Sequence, residues 1–203
     1  MPSSKPTLDV WDSCCLLGVL NGEKDKLPAL LSQTQEFETG SAVLGIPSVV
    51  VSETVTLSDG TSAEEKMTKF LDNPYVVPLQ ATQEVAMKSS QLQFRFDSRR
   101  MPELREKAIV AGVPKDKASR LTRADSDIIA TALVYKAERL TTYDPFLIFI
   151  GEQYITPDAG LVIGLPDTSW LPLEYPQPGQ ENEQTPSKPL STLVRPVGRK
   201  FRL

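Results

Sequence analysis

The sequence predicts a three-layer α/β/α fold built on a mostly parallel central sheet. Two observations carry that expectation. Short apolar, β-rich runs alternate with longer amphipathic stretches, and each pair of runs is separated by enough chain for a helical crossover. Hydrophobic residues make up 40% and charged residues 24% of 203 positions, an ordinary balance for a globular core.

The elements follow in order. Thr7–Asp12 alternates apolar and polar side chains and reads as a first strand. An apolar stretch, Cys14–Leu20, then meets the turn signal Asn21-Gly22. Leu27–Glu38 has helical periodicity and stops at Gly40. Ala42–Ser52, rich in Val and Ile, reads as a buried strand after Pro47. Ser62–Leu71 reads as a helix, with Ser62 and Glu65 spaced as a capping box. Tyr75–Leu79 is a short strand, and Thr82 caps a helix that runs to Phe96 with Val85, Ser89 and Leu92 on one side. A further helix lies within Arg99–Val113, with Pro102 near its first turn. Asp125–Arg139 is a helix with Ile128, Ile129, Ala132, Leu133 and Tyr135 on its apolar side, and strands Arg139–Tyr143 and Leu161–Leu165 complete the set. These elements place one domain over residues 1–168. The segment 169–203 is Pro-rich, ends basic at Arg195, Arg199, Lys200 and Arg202, and reads as a flexible tail.

Composition removes several chemistries. The chain has no histidine, so His triads, His general bases and His-based zinc sites are excluded. Its two cysteines, Cys14 and Cys15, are adjacent and form no disulfide framework, which suits a reducing cytoplasm. No apolar run is long enough to span a bilayer, and the N-terminus lacks the apolar region of a signal peptide. The net charge of −4 argues against coating nucleic acid but leaves local patches free to bind it.

In a parallel α/β sheet, ligands gather at the carboxyl ends of the strands. Four acids fall at such places: Asp12, Glu53, Asp125 and Asp144. Taken singly, each has a plain role as a helix cap, a turn residue or a solvated loop acid. Together at one sheet edge they repel one another unless a cation neutralises them. An all-oxygen, His-free set points to Mg²⁺ or Mn²⁺. A stretch from Arg95 to Arg123 holds nine basic residues against four acidic ones and leads straight into Asp125. Within it Arg99, Arg100, Arg105, Lys115, Lys117, Arg120 and Arg123 are candidates for phosphate contacts, and Phe94 and Phe96 are candidates for base stacking or, more commonly, for the core.

Three blocks carry a family likeness. Trp11–Glu23 (WDSCCLLGVLNGE) resembles the opening motif of PIN domains, a strand ending in Asp-Thr-Asn or a variant and followed by an apolar helix. Pro47–Val55 (PSVVVSETV) resembles the second motif, with its Glu after a Val/Ile strand. Ala124–Leu147 is the most specific, resembling the Asp-x-x-Ile-x-Ala-Thr-Ala helix followed by a Leu-x-Thr-x-Asp-x-x-Phe/Leu strand end. The blocks lie in family order over about residues 7–165, and the layout is similar to the VapC-like toxins. The resemblance implies an endoribonuclease with Asp12, Glu53, Asp125 and Asp144 binding one or two divalent ions, and with an antitoxin protein and a homodimer as partners besides RNA. Asp127 is a less favoured ligand, since it lies two positions beyond Asp125, about 200° around a helix. Thr142 and Ser13 stand behind the ligands as supporting residues. Cys14 departs from the motif, where Asn or Ser is common, and leaves a competing reading: a weakly or non-catalytic PIN-fold module that binds RNA or a protein. A third reading is an unrelated α/β protein whose strand-end acids coincide by chance.

Overall fold

A computed structural model describes residues 5–57, 61–96, 101, 103–118 and 121–166. Among these lie five strands: β1 (Thr7–Trp11), β2 (Ala42–Pro47), β3 (Val76–Leu79), β4 (Arg139–Thr141) and β5 (Val162–Gly164). They form one sheet in the order β3-β2-β1-β4-β5, and every neighbouring pair is parallel. The helices are α1 (Ser13–Asn21), α2 (Leu27–Glu38), α3 (Ser48–Leu57), α4 (Thr61–Leu71), α5 (Gln83–Arg95), α6 (Leu104–Val110), α7 (Arg123–Val134), α8 (Pro145–Ile150) and α9 (Thr156–Ala159), with a π-helical turn at Gly151–Ile155. The three-layer α/β/α architecture is the expected one.

The strand order dictates the layers. The chain steps from β1 out to β3, then returns past β1 to β4 and β5. With right-handed crossovers, reversing the direction of travel puts α1–α4 on one face and α5–α9 on the other. Side-chain alternation along β1 agrees with this. Trp11 is fully buried and meets Phe37 of α2 edge-on at 6.0 Å and Phe70 of α4 stacked at 6.3 Å, while Val10, also fully buried, points to the opposite face. On that opposite side α5 and α7 pack extensively on each other. A sheet covered on both faces explains why its strands read as apolar runs.

The face toward α2 also buries a polar network. Gln33, wholly inaccessible, donates to Asp9 Oδ2 at 3.0 Å and Thr141 Oγ1 at 2.9 Å, and accepts from Trp11 Nε1 at 3.1 Å. Burial raises the Asp9 carboxyl above its ordinary pKa, opposed by Arg139 and by the Gln33 bond. This network ties β1, β4 and α2 together one residue before Asp12.

One expected element is different. The run Ala42–Ser52 is not a single strand: the strand ends at Pro47 and α3 begins at Ser48. The β-branched residues Val49–Val51 favour a strand, but local preference yields to packing here. Val50 and Thr54 are the buried positions, four residues apart, while Ser48, Ser52 and Thr56 are exposed, which is a helical period. Glu53 therefore sits within a helix, not after a strand. The long helix before β4 is also shorter than expected: it ends at Val134, and Lys136 adopts a left-handed conformation (φ 57°) before the chain enters β4. The tail 169–203, the candidate contacts Arg99, Arg100 and Arg120, Pro102 and the Ser62 side chain lie outside the described residues.

Candidate active site

The reversal of strand order falls between β1 and β4, and open parallel sheets form their ligand crevice at such a point. Both strands end there in acids. Asp12 follows β1, and Asp144 follows β4 by three residues. The backbone holds these ends in register: Asp12 N–H donates to Thr141 O at 3.0 Å, and Thr142 N–H to Gly164 O at 2.9 Å.

Each acid also does local work. Asp12 is the N-cap of α1, its Oδ1 accepting Ser13 N–H at 2.6 Å. Asp144 caps α8, its Oδ1 accepting Phe146 N–H at 2.7 Å and Leu147 N–H at 3.2 Å, with Pro145 suited to the first turn. Asp125 does not open α7. The N-cap is Thr122, whose hydroxyl accepts Asp125 N–H at 3.1 Å, while Asp125 Oδ2 accepts Thr122 N–H at 2.8 Å. The plain capping roles are thus filled by the same acids that gather at the sheet edge. Three of them stand at helix N-termini, where the helix dipole favours negative charge. The caps of Asp125 and Asp144 engage one carboxylate oxygen each and leave the other outside these bonds.

Glu53 lies within electrostatic reach of Asp12 and Asp125, and Asp125 within reach of Asp12 and Asp144. Burial raises the Glu53 carboxyl, and the charges of Asp12 and Asp125 raise it further against a lowering hydrogen bond from Ser13. Burial likewise raises Asp125, with Thr122 bonds opposing and Asp12 and Asp144 adding repulsion. Glu53 reaches this cluster because α3 packs against both α1 and α7. Its position on a helix, rather than at a strand end, does not remove it from the group. Asp127 is half-buried on the same helix but is not among the charges acting on Glu53 or Asp125. Its backbone carbonyl accepts Thr131 Oγ1 at 2.7 Å.

The supporting residues converge on Asp12, which is only 5% exposed. Fully buried Thr142 donates its hydroxyl to Asp12 Oδ2 at 2.7 Å and accepts Asp144 N–H at 2.9 Å, so one side chain links two of the acids. Ser13 Oγ donates to Asp12 Oδ1 at 3.2 Å, and the same side chain lowers the Glu53 carboxyl against burial. Cys14 Sγ donates to Asp12 Oδ2 at 3.1 Å and accepts Tyr143 N–H at 3.2 Å. Cys15 is fully buried, its thiol kept protonated chiefly by burial and donating to Thr141 O at 3.3 Å. The sequence named Ser13 and Thr142; it offered no signal for Gln33, which a helical pattern assigns to the surface, and Thr122 was legible only through its spacing of three from Asp125.

The donor set has the chemistry of a hard divalent ion: carboxylates, hydroxyls and no imidazole. Its spacing is open. Among the described residues no three Asp, Glu or Cys side chains lie close enough to form a ready-made metal group.

The basic segment has mixed fates. Arg105, Lys115, Lys117 and Arg123 are exposed, and Arg123 opens α7 two residues before Asp125. Arg105 Nε donates to Ala118 O at 3.2 Å, while Arg95 pairs with Asp158 at 2.8 Å. Phe96 is core, 1% exposed and edge-on to Tyr154 at 5.5 Å, whereas Phe94 is 60% exposed.

No family model matches the chain, and no curated protein matches it. Among solved structures it is similar to a chain of VapBC2 from Rickettsia felis, determined bound to a DNA fragment from their promoter, with a TM-score of 0.50 and 15% sequence identity over 77% of this chain and 98% of that one. At this identity the likeness is one of fold. It agrees with the three-layer α/β/α arrangement. No helix among the described residues is long and apolar enough to cross a membrane.

Proposed function

We propose that this chain is a divalent-metal-dependent endoribonuclease that cleaves RNA phosphodiester bonds, the toxin of a toxin–antitoxin pair. One observation carries the reading: the strand order of the parallel sheet reverses between β1 and β4, Asp12 and Asp144 follow those two strands, and Asp125 and Glu53 lie within electrostatic reach of members of that set. Like charges kept together at a cost are what a bound Mg²⁺ or Mn²⁺ would relieve.

When bound, such an ion activates a water and stabilises charge on the phosphate. The chain's own part is positioning. Asp12, held at both oxygens by Ser13, Cys14 and Thr142, supplies a fixed carboxylate. Asp144 and Asp125 offer the oxygens that their caps leave outside. Glu53, its carboxyl raised by burial and by its neighbours, is suited to accept or hold a proton near the reacting water. Exposed Arg123, Lys115 and Lys117, with Arg105, supply cations for flanking phosphates. The antitoxin and homodimer partners rest on the family likeness, and the similar VapBC2 chain belongs to a complex solved on promoter DNA.

A second reading, a PIN-fold module that binds RNA or protein without strong catalysis, draws on the open spacing of the acids. Labelled single-stranded and structured RNA incubated with Mn²⁺, Mg²⁺ or EDTA separates the two. The proposal expects metal-dependent cleavage that Asp12→Asn and Asp144→Asn abolish. RNA binding without cleavage under every condition supports the second reading, and cleavage unchanged in either variant removes this site from the chemistry.

A further inference from the structure

The thiol of Cys14 occupies a position that its residue type does not suggest. It lies in the first turn of α1, yet its partners come from the loop between β4 and α8. Cys14 Sγ accepts Tyr143 N–H at 3.2 Å, donates to Asp12 Oδ2 at 3.1 Å and lies 3.6 Å from Thr142 Oγ1. Thr142 spends its only hydrogen on the same Asp12 oxygen, at 2.7 Å. The thiol hydrogen then has two acceptors within reach, Asp12 Oδ2 at 3.1 Å and the Thr142 oxygen at 3.6 Å; the nearer is Asp12, whose Oδ2 is gripped from two sides. The arrangement closes a short circuit: Tyr143 N–H to sulfur, sulfur to Asp12 Oδ2, Thr142 hydroxyl to the same oxygen, and Asp144 N–H to that hydroxyl.

We propose that Cys14 is a positioning residue that locks the Asp12 carboxylate to the β4–α8 loop and so fixes the separation between Asp12 and Asp144. Sulfur suits the task by size. Its long bonds and large radius let one atom reach an N–H across the sheet edge and a carboxylate on its own helix. The weakness of each thiol bond is offset by burial of the circuit, because Asp12 has almost no water to turn to. A residue that orients a ligand from behind is expected to set affinity, and loss of such partners weakens metal binding by about 10–100-fold. A thiol partner places Cys14 at the lower end of that range.

The proposal rests on the reading of Asp12 as a metal ligand, and its test separates the two. Cys14→Ala, Cys14→Val and Cys14→Ser are compared with the full-length protein by Mn²⁺ calorimetry and by crystal structures. Cys14→Val fills the volume without a bond, and Cys14→Ser keeps a donor and acceptor at shorter reach. Expected are a loss of Mn²⁺ affinity of about 10-fold in the Ala and Val variants, recovery of most of it in the Ser variant, and an Asp12 carboxylate turned away from Thr142 only in the first two. Equal affinity and an unmoved carboxylate in all three would overturn the proposal, as would a Ser variant no better than Val. Absence of Mn²⁺ binding by the wild type would defeat the metal reading alone, and the Asp12 position would still decide the role of Cys14.

Discussion

Replacing Gln33 by Leu tests whether the buried network beside the site carries the weight assigned to it. The substitution keeps approximate volume and removes three hydrogen bonds: from Trp11 Nε1 at 3.1 Å, to Asp9 Oδ2 at 3.0 Å and to Thr141 Oγ1 at 2.9 Å. Trp11 Nε1–H is donor-only and its residue is fully buried, so leaving it unpaired costs about 1–3 kcal/mol. Asp9 is 3% exposed and retains Arg139 at 3.9 Å, so its loss is only partly compensated and costs about 1–2 kcal/mol more. Thr141 keeps a rotatable hydroxyl and adds little. The sum is about 2–5 kcal/mol, a large share of the 5–15 kcal/mol that holds a typical domain together. Urea denaturation followed by tryptophan fluorescence gives the free energy directly, and the midpoint temperature should fall by about 4–20 °C for a chain of this size. In a double-mutant cycle with Asp9→Asn the two losses should be less than additive, since they share one bond. A loss below about 1 kcal/mol, or strict additivity, would refute the reasoning.

Two further outcomes are expected. Thr142→Val removes the hydroxyl joining Asp12 to Asp144 N–H; it should lower stability by about 1–3 kcal/mol and Mn²⁺ affinity by about 10–100-fold, measured by denaturation and calorimetry, and an unaltered affinity would place Thr142 outside the site's support. In EDTA, stability should carry a falling component as pH rises above the ordinary carboxylate range. Asp9, Glu53 and Asp125 all have raised folded-state pKa values, so the folded chain holds protons that the unfolded chain has already released. Melting temperatures from about pH 4 to 7 should fall less steeply for Glu53→Gln than for the wild type, and identical slopes would show that Glu53 is not strained by its neighbours.

The sheet was legible because parallel strands covered on both faces must be apolar, and β1 to β5 each fall within or close to the expected runs. The segment Val49–Val51 misled because its β-branched residues fit a strand, while the helical period lay in exposed Ser48, Ser52 and Thr56, visible only as a spacing. Asp12 and Asp144 were legible since strand ends and helix caps are both written locally. Glu53 was named on the expectation of a strand end and reaches the cluster by another route, the packing of α3 on α1 and α7. Gln33 was not legible: its partners Asp9 and Thr141 are 24 and 108 residues away, and nothing local marks a buried amide. Cys14 read as a departure from a motif, and only the approach of the β4–α8 loop shows what the sulfur touches.

The most direct test of the account is where a cation goes. Anomalous diffraction from crystals soaked in Mn²⁺ reports that position without reference to activity. The account predicts one or two peaks in the crevice between the ends of β1 and β4, ligated directly by Asp12 or Asp144 and within water-bridging reach of Asp125 and Glu53. A fully occupied ion elsewhere, with the crevice empty at saturating Mn²⁺, would contradict it.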